Sequence, residues 1–366
     1  MHDFEILYEI DSKSWNENLL KNEYSTFFQT SHHLKKSSEA YPVFINIYDE
    51  KKIVVGQLGL KIVNTAEFYA GPFLLKILKL IKNFTRRAIW IYGPIIHSND
   101  PKKREEILQC LMKALEVVLK SNKVVFLYGY SVFRDPLIDE HFVKLFEKNN
   151  FQTTDYVTFL ADLSLELDDI WKKLHHSATD DIRRAKKRSI TIAELSSKNQ
   201  LDEFVNLHKK WGETKGLPVN YSTDELESLW ENIGNNTEKI FFAFYGEKII
   251  SAIRISIFNN VAHANFIINS YDKKTSLGGP MLTWNTLEWA KENNLKFYDF
   301  TGGSNPKDSK NSDSSLVYYK KKWGGNQIPY YQFYKVVDTK KFFIYKILMN
   351  FQTIIRKKKI RLRPTN

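Results

Sequence analysis

The side chains best suited to chemistry gather late in the chain. Phe297-Tyr-Asp-Phe-Thr-Gly-Gly-Ser is followed, after a polar loop, by Leu316-Val-Tyr-Tyr-Lys-Lys-Lys-Trp-Gly-Gly. A strand over Lys296–Phe300 delivers Asp299 to its C-terminal end, and Gly302 with Gly303 lets the backbone pass close to a bound group. Tyr319 and the consecutive Lys320, Lys321 and Lys322 come next. Lysines grouped in this way hold a phosphate or stabilise a developing oxyanion. Adjacent lysines are also ordinary solvated surface, but here aromatic residues flank them on both sides.

Other chemistries find less support. Cys110, the single cysteine, lies in an apolar run and reads as a buried structural thiol. One cysteine also excludes a disulfide framework and a thiolate zinc cluster. His32-His33 and His175-His176 are adjacent pairs whose rings cannot face one metal from a helix, so no metal site is expected. His263 alternates with Asn265 along a strand and reads as a satisfied, half-buried histidine, with cleft lining as the other reading. Ser276-Leu-Gly-Gly-Pro-Met precedes a helix, where Gly278 and Gly279 could offer backbone N–H groups to the pyrophosphate of a donor. Pro280 removes one such group, and proline in a first helical turn is ordinary capping chemistry. The turn therefore weighs against coenzyme A.

These residues need elements to hold them. The chain has 366 residues, 43% hydrophobic and 14% aromatic, which suits two or three packed domains and excludes disorder. Strand patterns run over Phe4–Ile10, Tyr41–Tyr48, Lys52–Val63, Ile89–Tyr92 and Lys123–Tyr130, separated by helical patterns near Ser31–Ser37 and Lys103–Lys120. Thr158–Leu163 closes the first half, and a polar-rich helix over Leu167–Lys187 opens the second. Helices near Gln200–Lys215 and Thr223–Asn232 lead into three strands, Lys239–Tyr245, Lys248–Phe258 and Val261–Ile268, joined by tight turns. A helix over Met281–Glu292 and the Asp299 strand follow. The pattern predicts an α/β (α+β) fold with mixed, largely antiparallel sheets.

The net charge of +12 is unevenly placed. Nine basic and no acidic residues lie between Lys340 and Arg363, and five basic and no acidic residues between Gly71 and Arg87, which leaves the remainder near neutral. Both segments are also apolar. Lys76, Lys79 and Lys82 form one stripe among leucines and isoleucines, and the run from Lys341 to Ile355 ends in Arg356-Lys-Lys-Lys. Such helices lie in a membrane interface or dock on the protein body, and a polybasic run serves RNA phosphates equally. No leader or spanning segment is visible, which predicts a cytoplasmic protein, peripheral on the inner membrane face.

Four stretches together resemble the Fem-type (FemA/FemB/FemX) aminoacyltransferases of the GNAT superfamily, relatives of the BioF2-like acetyltransferase domains. They are the Tyr-Asp strand followed by Tyr319-Lys320-x-x-Trp323-Gly, the early Phe27-Phe-Gln-Thr-Ser-His-His-Leu-Lys-Lys, the turn Ile91-Tyr-Gly-Pro-Ile-Ile, and Trp171…Asp181-Ile-Arg-Arg-Ala-Lys-Lys. The resemblance implies two tandem GNAT-like domains, at 1–163 and 164–325, with 326–338 a strand returning to the first and 339–366 a basic amphipathic helix or tail. It also implies transfer of an amino acid from aminoacyl-tRNA to an amine of a peptidoglycan-like envelope precursor, nucleotide- or lipid-linked. By the same resemblance Lys320, Tyr319 and Asp299 are catalytic, and Lys36, Arg183, Arg184, Tyr92, Gly302 and Gly303 bind substrate. Gly278, Gly279, Lys321 and Lys322 face the donor. No tightly bound cofactor is implied, since aminoacyl-tRNA is a co-substrate. The alternatives are an acyl-CoA-dependent N-acyltransferase acting on a sugar amine or small amine, and a non-catalytic membrane- or RNA-binding protein on the same scaffold. Asp180-Asp181 stands where the family often has a basic residue, and no long helical arm is evident in the second half.

Overall fold

The computed structural model describes residues 2–35, 37, 40–63, 85–215, 219–269, 276–302 and 313–361, without the side chains of 313–316 and 351–361. Lys36, Gly303, most of the basic segment between Gly71 and Arg87, and the last five residues lie outside the described residues. The chain forms two compact units, one of Met1–Thr154, Gly212–Ser222 and Tyr331–Asn366, the other of Asp155–Trp211 and Thr223–Tyr330.

In the first unit, β1 (Asp3–Leu7), β2 (Ala40–Tyr48), β3 (Val54–Val63), β4 (Arg87–Trp90), β6 (Phe126–Tyr130) and the end of β13 (Asn326–Val336) lie side by side in that order. Only β4 and β6 run parallel; β5 (Ile95–Ile96) adds to β3. Three helices, α1 (Ser12–Leu20), α2 (Pro101–Ser121) and α3 (Glu140–Lys148), accompany them. Asp100 starts α2 by accepting the N–H groups of Lys102 and Lys103 at 2.9 and 3.1 Å, with Pro101 in the first helical position. The apolar stripe of that helix (Ile107, Leu111, Ala114, Leu115, Val118) shares a core with Ile45, Ile47 and Leu58, and Cys110 is buried within it. On the opposite sheet face Phe44 meets Trp15 of α1 edge-on, with centroids 4.9 Å apart. With both faces covered, β2 and β3 are buried almost throughout.

Among the described residues of Ser31–Ser37 no helix forms. The chain makes a short 3-10 turn at Phe27–Gln29, and tertiary partners take its polar groups. The Gln29 amide accepts Gly59 N–H at 2.8 Å and donates to the Ile91 carbonyl at 2.8 Å, while the Gln29 carbonyl accepts the Trp15 indole N–H at 2.8 Å. A polar side chain with no solvent exposure thus ties three segments together.

In the second unit the strand order is β7 (Gln152–Asp162), β12 (Phe297–Asp299), β11 (Val261–Asn269), β10 (Lys248–Phe258), β9 (Glu238–Tyr245) and β8 (Ile190–Glu194). The antiparallel meander β9–β10–β11 appears as expected. The expected helix over Leu167–Lys187 is two, α4 (Leu167–Lys173) and α5 (His176–Lys187), because Leu174 and His175 are extended and His175 caps α5 through its ring. Helices α6 (Lys198–Lys215), α7 (Thr223–Gly234), α8 (Gly278–Glu292) and α9 (Asp313–Lys321) follow. The strand β8 and the helices α1 and α3 are additional to the elements expected from the sequence. Helix α8 starts three residues earlier than its apolar pattern suggests. A Cβ on Gly278 would stand 2.5 Å from Ser251 Oγ, and one on Gly279 2.5 Å from Asn269 Oδ1, so the glycines let the helix enter against the sheet. Leu282 and Leu287 of α8 then share a core with Ile182 and Ala185 of α5.

Helix α10 (Thr339–Arg361) belongs to the first unit. Among the described residues no helix is long and apolar enough to cross a membrane.

Replacing Gln29 with Leu keeps the volume and strands Gly59 N–H and the Ile91 carbonyl in the core. The expected loss is about 2–4 kcal/mol of unfolding free energy, read by urea denaturation of the purified protein.

Candidate active site

Strand β12 is only three residues long, and its position is decided by what its last residue holds. It pairs in parallel with β11, where His263 faces Asp299, and antiparallel with β7, where Asp299 faces Leu160. The Asp299 side chain has no solvent exposure. Its Oδ1 accepts the Thr158 hydroxyl at 2.5 Å and the Thr301 N–H at 2.9 Å, and its Oδ2 lies 2.9 Å from Nδ1 of the fully buried His263. Buried carboxylates persist where every lone pair finds such a donor.

Past Asp299 the backbone turns sharply. Thr301 sits at φ +50, a left-handed conformation that a β-branched residue adopts only under constraint. The constraint is visible: its N–H goes to Asp299, its hydroxyl donates to the Ala264 carbonyl of β11 at 2.6 Å, and its carbonyl accepts the Lys320 ammonium. The Gly302 carbonyl accepts the same ammonium. Lys320, in the last turn of α9, therefore has its charge beside the point where β11 and β12 stop pairing. Burial brings this lysine down to about 8, against the opposite pull of the Asp299 carboxylate.

The neighbouring residues are placed quite differently. The Tyr319 hydroxyl lies 3.5 Å from Thr283 Oγ1 of α8, and burial raises it. Lys322 pairs with Asp181 at 3.0 Å and covers the Tyr319 ring, its ammonium 4.8 Å from the centroid. Lys321 is exposed. After them Gly324 takes φ +71 with its Cβ position 2.6 Å from the Lys173 carbonyl, so only glycine lets the chain pass the end of α4 there.

Arg183 and Arg184 stand on the outer face of α5. Arg183 pairs with Asp180 at 3.2 Å and lies over Trp171, and Arg184 pairs with Asp181. With His176, Ser177 and Lys187 they border a hollow of about 410 Å³. Gly302 has open space where a side chain would go, apart from the Tyr330 hydroxyl at 4.0 Å. Gly278 and Gly279 are buried against β10 and β11. Tyr92 belongs to the first unit, buried at φ +49 between Phe28 and Phe133, with ring centroids at 5.4 and 4.7 Å. The structure thus brings Lys320 together with Asp299 through Thr301.

Three members of this constellation escape sequence reasoning: Thr158, Thr301 and His263. His263 is fully buried and joined to Asp299, where the alternation pattern suggested half burial. Its partner is 36 residues away, and only the parallel register β11–β12 brings them opposite. Beside them β11 carries a bulge at Asn265, whose amide donates to Ser256 Oγ at 2.5 Å. Bulges of this kind re-aim side chains next to active sites. Among the described residues no group of three His, Cys, Asp or Glu side chains could hold a metal ion.

Comparison with known proteins finds a domain family and a set of similar folds. Residues 172–321 match the acetyltransferase (GNAT) domain family. The fold is similar to that of FemX, with TM-score 0.67 at 13% identity over 94% of this chain and 99% of that one. It is also similar to L-PGS from Bacillus licheniformis, with TM-score 0.55 at 11% identity over 96% of each chain. A tandem GNAT protein from the clavulanic acid biosynthesis pathway gives TM-score 0.54 at 10% identity over 91% of this chain and 98% of that one. No curated protein matches the chain by sequence. Residues 172–321 thus match an acetyltransferase (GNAT) domain, and the chain as a whole has a mixed α/β fold similar to that of FemX.

Proposed function

We propose that this acyltransferase moves an aminoacyl group from aminoacyl-tRNA to an amine on a nucleotide- or lipid-linked envelope precursor, at the inner membrane face where such precursors are made. The observation that carries this reading is the Lys320 ammonium, held by two backbone carbonyls at the end of β12 and, among the described residues, by no carboxylate. An aminoacyl ester is already activated, so its enzyme mainly positions the amine and stabilises charge on the attacked carbonyl oxygen. The amine nitrogen bonds to the carbonyl carbon, the ester C–O bond breaks with its electron pair passing to the ribose oxygen, and the proton the amine gives up ends on that oxygen as the ribose hydroxyl. Lys320 donates to the oxyanion, Tyr319 shapes the wall beside it, and Asp299 fixes the turn that presents the ammonium.

Arg183 and Arg184 serve the precursor's phosphates in this reading. The partner of Arg183, Asp180, is exposed on the same helix, and a surface pair of this kind is weak enough to exchange for a phosphate, whereas Asp181 is shared by Arg184 and Lys322. Lys36, Tyr92, Gly302 and Gly303 are assigned to the acceptor by the resemblance to the Fem-type enzymes. On the donor side Lys321 is available to tRNA phosphate, while Lys322 is engaged by Asp181. The packing of Gly278 and Gly279 against Ser251 and Asn269 accounts for that turn without a coenzyme pyrophosphate, which supports tRNA over coenzyme A.

The test is a transfer assay on extracted envelope precursors, with labelled aminoacyl-tRNA in one arm and labelled acetyl-CoA in the other. Label is expected from the tRNA arm alone and is lost after RNase. Transfer from acetyl-CoA alone overturns the donor. In the active arm Lys320→Ala is expected to lower kcat/KM about 10²–10³-fold. The pH profile gives an independent check. A buried lysine is protonated below its pKa, so activity that needs the ammonium is full on the acid side and falls as pH rises through about 8. Lys320→Arg, which stays charged, is expected to abolish that alkaline limb in whatever activity it retains. An unchanged limb assigns it to another group.

A further inference from the structure

Large apolar side chains standing exposed are mostly scattered along the described residues, as Tyr8, Leu20, Ile53, Val117, Tyr245 and Tyr318 are. Val337, Phe343, Ile344 and Ile347 are instead a group, at and within the start of α10, and Phe343 is 65% exposed. Scattered exposed apolar residues need no explanation, whereas clustered ones mark an interaction surface.

The helix is anchored so that this face points outward. Asp338 caps it, accepting Lys341 N–H at 3.0 Å and pairing with the Lys341 ammonium at 3.0 Å. Phe342 and Tyr345 turn inward onto Phe126 of β6, with centroids 5.4 and 4.7 Å away, and Phe342 also meets Tyr334 of β13. At 100° per residue, Phe343, Ile347 and Ile344 then fall on the opposite side together with the exposed Lys340, and the exposed Lys346 stands at its edge with its ammonium 5.0 Å from the Phe342 ring centroid. From Lys340 onward the chain holds nine basic and no acidic residues.

We propose that the outer face of α10 is a membrane-docking surface that lies on an anionic bilayer, with Phe343, Ile344 and Ile347 entering the interface and Lys340 and Lys346 meeting lipid phosphates. An apolar ridge with exposed lysines within it and at its edge is the pattern of an interfacial helix. Charge alone would serve RNA equally, but RNA phosphates have no use for three exposed aliphatic and aromatic side chains. The inference concerns where the protein sits and does not require the proposed donor or acceptor to be right.

The experiment is sedimentation of the full chain with vesicles of phosphatidylcholine alone or mixed with phosphatidylglycerol, without any transferase substrate. Wild type is expected to bind the mixed vesicles and hardly the neutral ones. Phe343→Ser with Ile347→Ser should lose that binding with an unchanged thermal midpoint, since both residues are exposed. Lys340→Glu with Lys346→Glu should weaken it at least 25-fold, each lysine near the surface being worth about fivefold. Failure of wild type to bind mixed vesicles overturns the proposal, as does wild-type binding by both double variants. Binding of tRNA that the lysine variant abolishes, with none to vesicles, assigns the face to RNA instead. A dimer in solution that Phe343→Ser dissociates, again without vesicle binding, assigns it to a second copy.

Discussion

The second unit turns on one buried carboxylate. Asp299 ends a three-residue strand that its backbone ladder alone holds weakly, and its two oxygens reach β7 through Thr158, β11 through His263 and the following turn through Thr301. The bonds to Thr158 and His263 are fully buried, so removing either partner leaves an acceptor oxygen of Asp299 unsatisfied in the core. The turn at Thr301 is the local consequence. A β-branched residue persists there in a left-handed conformation because its N–H, hydroxyl and carbonyl are all engaged. Strain of this kind marks functional positions when the surroundings over-determine it.

The lysine run shows how three identical side chains acquire three roles. Helix α9 ends at Lys321, and the chain then passes the end of α4 through a glycine at positive φ. That geometry sends Lys320 onto two backbone carbonyls, leaves Lys321 exposed, and lays Lys322 across the Tyr319 ring to Asp181. The Lys320 ammonium bonds two backbone carbonyls and, among the described residues, no carboxylate, and burial weakens its hold on the proton. Lys322 has its charge compensated, so its contribution is to positioning. Composition makes the three lysines equivalent; their environments separate them.

The first unit uses buried polarity structurally. Gln29 takes backbone groups of β3 and of the segment after β4, and Arg104 of α2 pairs with Asp135 at 2.7 Å with both side chains almost fully buried. These contacts fix loops between strands rather than a reactive group. What the same unit turns outward is the apolar ridge of α10, whose inner residues are spent on Phe126 and Tyr334. A helix amphipathic in both directions results, with one apolar side in the core and another at the surface.

Much of the fold is written in local pattern. The meander over β9–β11, the long α2 with its Asp100 cap and the strand carrying Asp299 follow from side-chain period and turn chemistry, which act over a few residues. The candidate lysines were legible for the same reason, as an unusual run between aromatic residues. Long-range events were not. The Ser31–Ser37 segment reads as helical until Gln29 is seen bonded 30 residues away at Gly59 and 62 residues away at Ile91. The break at Leu174–His175, the early start of α8 against Ser251 and Asn269, and the meeting of His263 with Asp299 likewise depend on partners distant in the chain. The amino-acid sequence by itself determined the elements and the chemical types at hand, because those depend on neighbours along the backbone. Only the tertiary structure decided which lysine is buried and which histidine joins the carboxylate, because burial and register come into being when distant strands pair.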